Sequence, residues 1–196
     1  MSESPRGVQV LAAGTQRGAC DAERDRRDGR RWSDPPYRVQ ARVEVRVPAN
    51  VTLRLCTVNG PASVTGVAGG VHVSAVNGPI TASEIGGDVR LKTVNGNIDA
   101  DVRARPGRPW DLATVNGNVL LRMPTDAAAD LRLKTMHGGI YTDFETTELP
   151  ATAPTVEQRG NLRVLRSNRS VGVRIGAGGP TVTIETVNGN VRVQRR

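Results

Sequence analysis

At 196 residues the chain is the size of a single domain, and with 37% hydrophobic but only 3% aromatic residues its core must be filled by Val, Ile, Leu, Ala and Thr rather than by large rings. Its 22 glycines follow no triplet period, which excludes collagen and implies frequent turns. The net charge of +8, in which all but Lys92 and Lys134 of the 27 basic residues are arginine, favours encounter with a polyanion without choosing nucleic acid, lipid or acidic glycan.

Residues 1–37 read as a cap: a short strand at Val8–Leu11, followed by a mixed-sign, solvated loop at 22–36 (AERDRRDGRRWSDPP). No apolar run approaches the roughly 18 residues a membrane helix needs. Residues 8–13 are too few for a signal-peptide core, and Arg17 stands where a lipoprotein cleavage box ahead of Cys20 needs an aliphatic residue. The chain as written therefore predicts no signal peptide, and a cytoplasmic location if Met1 is the true start. Cys20 and Cys56 allow either one disulfide in an oxidising compartment or two free thiols.

Residues 38–196 form the second region. Residues 38–47 alternate, with Val39, Ala41, Val43, Val45 and Val47 on one face, and predict a strand paired with 51–55 across a Pro48-Ala49-Asn50 turn. From there the tetrapeptide Thr/Ala-Val-Asn-Gly recurs, with asparagines at Asn59, Asn77, Asn95, Asn116 and Asn188, and a degenerate copy, TMHG, places His137 at the same position. The spacings are 18, 18, 21, 21 and 51 residues, a period that calls for a repeat architecture. Apolar residues alternate before each corner, as in Val71 and Val73 or Val89 and Leu91, and an aliphatic residue such as Ile80, Ile98, Val119, Ile140 or Val191 stands two positions after the glycine. A second turn falls midway at 67–70 (VAGG) and 85–88 (IGGD).

Each repeat is thus strand, turn, strand, turn. Two such strands cannot bury a face alone, so repeats must stack. The pattern predicts an all-β, single-domain β-solenoid of 18 to 21-residue coils, with hairpins built on type I′ Asn-Gly turns as the rival. Stacked coils would align Asn59, Asn77, Asn95, Asn116, His137 and Asn188 as a side-chain ladder along one edge, with glycine supplying the left-handed φ of the corner. Loops are expected at 103–109 (RARPGRP) and 123–130, an irregular excursion at 143–160, and further strands at 161–165 and Val171–Ile175.

The TVNG repeats, the segment TMHGGIYTDF at 135–144 and the closing VRIGAGGPTVTIETVNGNVRV at 173–193 resemble an adhesin-like β-strand-repeat family of bacterial proteins of unknown function. The resemblance covers about residues 38–196. It implies a β-solenoid, commonly associated with the cell envelope or exported, and offers no catalytic residues to carry over.

Among candidate sites, outward positions before the corners gather Arg54, His72, Arg90, Lys92, Arg132 and Lys134 into a basic face suited to a cell-surface polyanion or acidic glycan. The same charges also serve simply to keep an exposed sheet solvated, and the face lacks the interleaved aromatics of single-strand nucleic-acid binders. Carboxylates at Asp99, Asp101 and Asp111, or at Asp143 and Glu145, would be the acids of a carbohydrate-active enzyme, yet their spacing shows no defined pair. Two histidines and two cysteines without close spacing suggest no metal site, and Gly176 to Gly179 (GAGG) lacks the Lys-Ser/Thr of a phosphate loop and reads as a turn. Trp32 and Trp110 read as loop residues, exposed to a partner or covering an end of the stack. The leading expectation is a non-enzymatic binding or structural module without cofactors, whose partner is a surface polyanion, glycan or protein. A glycan-cleaving enzyme and a cytoplasmic scaffold assembling end to end are the alternatives.

Overall fold

The computed structural model describes residues 8–11, 43–102, 106–150, 155–159, 162–166 and 170–196. The loop expected at 22–36, residues 38–42, Cys20 and Trp32 lie outside them. The described residues contain strands and no helix. After β1 (Val8–Leu11) come four pairs, each a longer strand and a shorter one: β2 (Leu53–Asn59) and β3 (Ala62–Thr65), β4 (Val71–Asn77) and β5 (Ile80–Ser83), β6 (Val89–Asn95) and β7 (Ile98–Asp101), β8 (Trp110–Asn116) and β9 (Val119–Met123). A fifth pair, β10 (Ala129–His137) and β11 (Ile140–Thr142), leads to β12 (Thr146–Glu148), β13 (Thr155–Arg159), β14 (Leu162–Arg166) and β15 (Val171–Ile175). A sixth pair, β16 (Thr181–Asn188) and β17 (Val191–Arg195), ends the chain. The excursion expected to be irregular at 143–160 therefore contains β12 and β13.

The longer strands build a nine-stranded sheet in the order β1, β2, β4, β6, β8, β16, β10, β15, β12, and the shorter ones a six-stranded sheet in the order β11, β17, β9, β7, β5, β3. All pairings in them are parallel except those of β15, which runs antiparallel to both β10 and β12; β13 and β14 form a separate antiparallel pair. Strand registers follow the repeat, so Asn59 faces Asn77, Asn77 faces Asn95 and Asn95 faces Asn116. Alternate residues point inward, and Val73, Leu91, Leu112, Ile184 and Leu133 align as one buried column between the sheets. Ile80, Ile98, Val119 and Val191 form a facing column from the smaller sheet. Fully burying each such side chain contributes about 1.5–3 kcal/mol. Ring-poor composition suits this thin, stacked interior.

Three expectations are corrected here. Residues 43–47 are not a strand: the edge of β2 is occupied in parallel by β1, from Val8 opposite Leu53 to Leu11 opposite Cys56, and Val43 and Val45 are exposed. The turn that follows does form, and Ala49 O accepts the N–H groups of Ala68 (2.8 Å) and Gly69 (3.1 Å). Trp110 is not an exposed loop residue but the buried first residue of β8, standing in the Val89 column with its Nε1 donating to Gly87 O at 3.0 Å.

The third correction concerns order. The last pair does not stack after the fifth but lies between the fourth and the fifth, with β16 hydrogen-bonded to both β8 and β10 and β17 lying between β9 and β11. β15 and β16 flank β10 on opposite edges, so residues 176–180 must cross the start of β10. GAGG makes this crossing: Gly176 and Gly178 adopt φ of +57° and +78°, and a Cβ on Gly179 would approach Ala128 O to 2.8 Å. Arg174 brackets the crossing through a bidentate pair with Asp130, at 2.8 and 2.9 Å.

Candidate functional site

The outer face of the nine-stranded sheet carries three rows before the corners. In spatial order the first is Arg54, His72, Arg90, Asp111, Thr183, Arg132, and the second Cys56, Ser74, Lys92, Ala113, Glu185, Lys134. The intercalated strand thus sets Thr183, not Arg132, beside Asp111. The cations predicted to make a basic face are partly matched with acids: Lys92 Nζ lies 2.8 Å and Arg90 Nε 3.8 Å from Asp111 Oδ2, and His72 Nε2 hydrogen-bonds Asp88 Oδ2 at 2.9 Å. Lys134 stands in register with Glu185. Arg54 and Arg132 complete the first row as exposed side chains.

The third row is apolar. It consists of the residue before each corner Asn or His: Val58, Val76, Val94, Val115, Val187 and Met136, of which Val94, Val115 and Met136 are exposed at 41, 40 and 65%. A cavity along this row is lined by Val76, Val94, Val115 and Val187 and, from the adjoining second row, by Lys92, Lys134 and Glu185. Sequence reasoning passed over this row because alternation assigns it to solvent. The invariant apolar second residue of the tetrapeptide was the available signal.

The corner edge is bound by three rows of hydrogen bonds. Nδ2 of Asn77, Asn95, Asn116 and Asn188 each donates to Oδ1 of the asparagine beside it, namely Asn59, Asn77, Asn95 and Asn116, at 3.0, 2.9, 2.8 and 2.7 Å. His137 follows Asn188 in register, and no side-chain bond continues the row to it among the described residues. The second row was not anticipated: Asn97, Asn118 and Asn190 accept, through Oδ1, the backbone N–H of Asn118, Asn190 and Gly139, each at 2.8 Å. The third is made by the Thr of the tetrapeptide, buried at Thr93, Thr114 and Thr186. Hydroxyls of Thr93, Thr114, Thr186 and Thr135 donate to the carbonyls of Gly78, Gly96, Gly117 and Gly189 at 2.9 to 3.0 Å.

Corner glycines answer the predicted demand in part and a second one besides. Gly60, Gly117, Gly138 and Gly189 have positive φ, whereas Gly78 and Gly96 do not. A Cβ on Gly78, Gly96, Gly117, Gly189 or Gly138 would also overlap the carbonyl oxygen of the glycine stacked beside it. At Gly78 and Gly96 this close approach, rather than turn conformation, requires glycine, and at Gly117, Gly138 and Gly189 both demands coincide.

The candidate acids do not converge. Asp99 and Asp101 lie on β7 of the smaller sheet, Asp111 on β8 of the larger one. Asp99 pairs with Arg122 at 2.8 Å, Asp101 Oδ1 lies 3.2 Å from Arg196 Nη1, and Asp143 Oδ1 accepts the Arg195 backbone N–H at 2.8 Å. Glu145 is exposed. Among the described residues, no three His, Cys, Asp or Glu side chains are placed to hold a metal, and no helix is long and apolar enough to cross a membrane. The Asp130 carboxyl is held below the usual carboxylate range, first by its hydrogen bond from Arg174. Cys56 is disulfide-bonded. No family model matches the chain, and no curated protein or solved structure matches it either.

Proposed function

We propose that the chain is a β-solenoid of the adhesin-like β-strand-repeat type and acts as a non-enzymatic binding module at the cell envelope, through the outer face of its larger sheet. The observation that carries this reading is the exposed Val94, Val115 and Met136 row, continuous along the sheet and bordered by Lys92, Lys134 and Glu185. An apolar stripe with a charged rim suits a macromolecular partner better than it suits bare solvent. The charge matching of Arg90 and Lys92 by Asp111 favours a protein surface over a simple polyanion. A disulfide at Cys56 supports an oxidising compartment, where such bonds persist. Parallel registers that set Asn over Asn across 18 and 21-residue intervals support the solenoid.

The test is co-sedimentation of the purified protein with isolated bacterial envelope fragments. Binding is expected for the wild type and is expected to fall about tenfold or more, the loss of roughly 1.4 kcal/mol, in the folded double variant Val94→Asp, Val115→Asp. Equal binding by that variant, with loss instead in Arg54→Glu, Arg90→Glu and on raising salt, would transfer the site to the cationic row and a polyanionic partner. Turnover of an acidic glycan abolished by Asp99→Asn or Asp111→Asn would replace the reading with an enzymatic one.

A further inference from the structure

Five corners carry the dipeptide Asn-Gly, at residues 59–60, 77–78, 95–96, 116–117 and 188–189. In this dipeptide the glycine nitrogen, having lost its proton, can attack the asparagine Cγ. A new N–Cγ bond closes a succinimide while the Cγ–Nδ2 bond breaks and the side-chain nitrogen leaves as ammonia. Water then opens the ring to aspartate or isoaspartate. The reaction needs a free glycine nitrogen and a side chain able to swing onto it.

The fold withholds both at the stacked corners. The N–H groups of Gly60, Gly78, Gly96, Gly117 and Gly189 each donate to the carbonyl of the residue at the neighbouring corner, Asn77, Asn95, Asn116, Asn188 and His137, at 2.9 to 3.0 Å. The departing Nδ2 is tied as well in Asn77, Asn95, Asn116 and Asn188, each of which donates to the next Oδ1 along the row.

Asn59 differs. It accepts from Asn77, but its own Nδ2 has no acceptor among the described residues. The Thr57 hydroxyl reaches only Asn59 O, at 3.4 Å, where its counterparts bond a neighbouring glycine carbonyl at 2.9 to 3.0 Å. A Cβ on Gly60 would meet nothing within 4 Å, whereas at the other corner glycines it would strike backbone.

We propose that Asn59 is the deamidation site of the folded protein, and that the asparagine row holds the other four Asn-Gly pairs intact. The product chemistry is asymmetric in the same sense. An aspartate at 59 still accepts from Asn77, now as a charged acceptor. An aspartate at 95 would set a carboxylate oxygen against Asn77 Oδ1, where an N–H now sits at 2.9 Å. Asn59 is thus the one rung at which aspartate keeps the row's bonds.

The wild-type protein is to be incubated folded at mildly alkaline pH, and in parallel unfolded in urea, with each Asn-Gly peptide scored for mass increase and isoaspartate. All five should react at similar rates when unfolded. When folded, Asn59 should react at least about tenfold faster than Asn77, Asn95, Asn116 and Asn188, since interior positions open only at free energies approaching the global one. Similar native rates at all five, or faster reaction at an interior rung, would overturn the proposal. As a second measurement, Asn59→Asp should unfold near the wild-type urea midpoint and Asn95→Asp at a clearly lower one or fail to fold. The reverse ranking would also overturn it.

Discussion

Replacing Gly96 with alanine tests whether close approach dictates glycine at a corner where φ does not. The new Cβ would overlap Gly78 O and lie 2.9 Å from Pro79 N, so the backbones of adjacent corners must part. Three bonds are strained by that parting: Gly78 N to Asn95 O (2.9 Å), Gly96 N to Asn116 O (3.0 Å) and Thr114 Oγ1 to Gly96 O (2.9 Å). Overpacking costs about 1–3 kcal/mol and each net hydrogen bond weakened about 0.5–1.5 kcal/mol. Gly96→Ala should therefore lose about 2.5–7.5 kcal/mol, and with roughly 2–4 °C per kcal/mol at this chain length its Tm should fall by roughly 5–30 °C. Gly60→Ala supplies the contrast, because Gly60 has φ of +120° but open space around it. Its cost is the conformational strain alone, about 1–3 kcal/mol. Urea unfolding of the two variants ranks the mechanisms. If Gly96→Ala lies within about 0.5 kcal/mol of wild type, or is milder than Gly60→Ala, the stacking argument fails.

Leu112, fully buried in the central column, should cost about 2–5 kcal/mol as Leu112→Ala, measured by the same unfolding curves. Asp130 has its folded-state pKa lowered by Arg174, so the pair's contribution is present above the ordinary carboxylate range and disappears as pH falls through the lowered value. The urea midpoint should accordingly drop on acidification below about pH 4, and Asp130→Asn should flatten part of that drop. Reduction of the Cys56 disulfide should lower the midpoint at constant pH, and Cys56→Ser should reproduce the reduced midpoint and be insensitive to reductant.

Alternation made the strands legible because one face of each is buried: Val71, Val73, Leu91 and Leu112 are apolar in the sequence for the same reason that they are inaccessible in the structure. The strand at Val171–Ile175 carries this signal too. Residues 38–47 alternate just as well, yet 43–47 form no strand, because alternation reports a capacity to pair and not whether the partner's edge is free. Trp110 reads as a loop residue because of its neighbours: a run of Arg, Pro and Gly precedes a residue that occupies a valine column. The outer-face row at Val94 and Val115 is hidden from strand alternation for a third reason. Alternation locates the side that faces a core, and only the recurrence of an apolar second residue in each tetrapeptide marks a row facing outward.

The stacking order differs from chain order, and the sequence contains the reason. Apolar columns cannot discriminate, because Leu131 and Leu133 of β10 would meet Trp110 and Leu112 of β8 about as well as Val182 and Ile184 do. The hydrogen-bonding rows do discriminate, since each is directional. In the second row a backbone N–H donates to the Oδ1 before it, as Asn190 N does to Asn118. Gly139, having no side chain, can donate to Asn190 but cannot accept from a following corner, so it can only end the row. His137 follows Asn188 in the first row, and among the described residues no side-chain bond carries that row on to it. Stacked in chain order, the fifth pair would sit between Asn116 and Asn188 and between Asn118 and Asn190, and would interrupt both rows at once. Intercalating β16 and β17 keeps both unbroken and puts the degenerate corner at the end, beyond which β15 runs antiparallel and the repeat does not continue. The TMHGG copy is degenerate because it occupies a terminal corner, and its two departures from Asn mark the end of the stack.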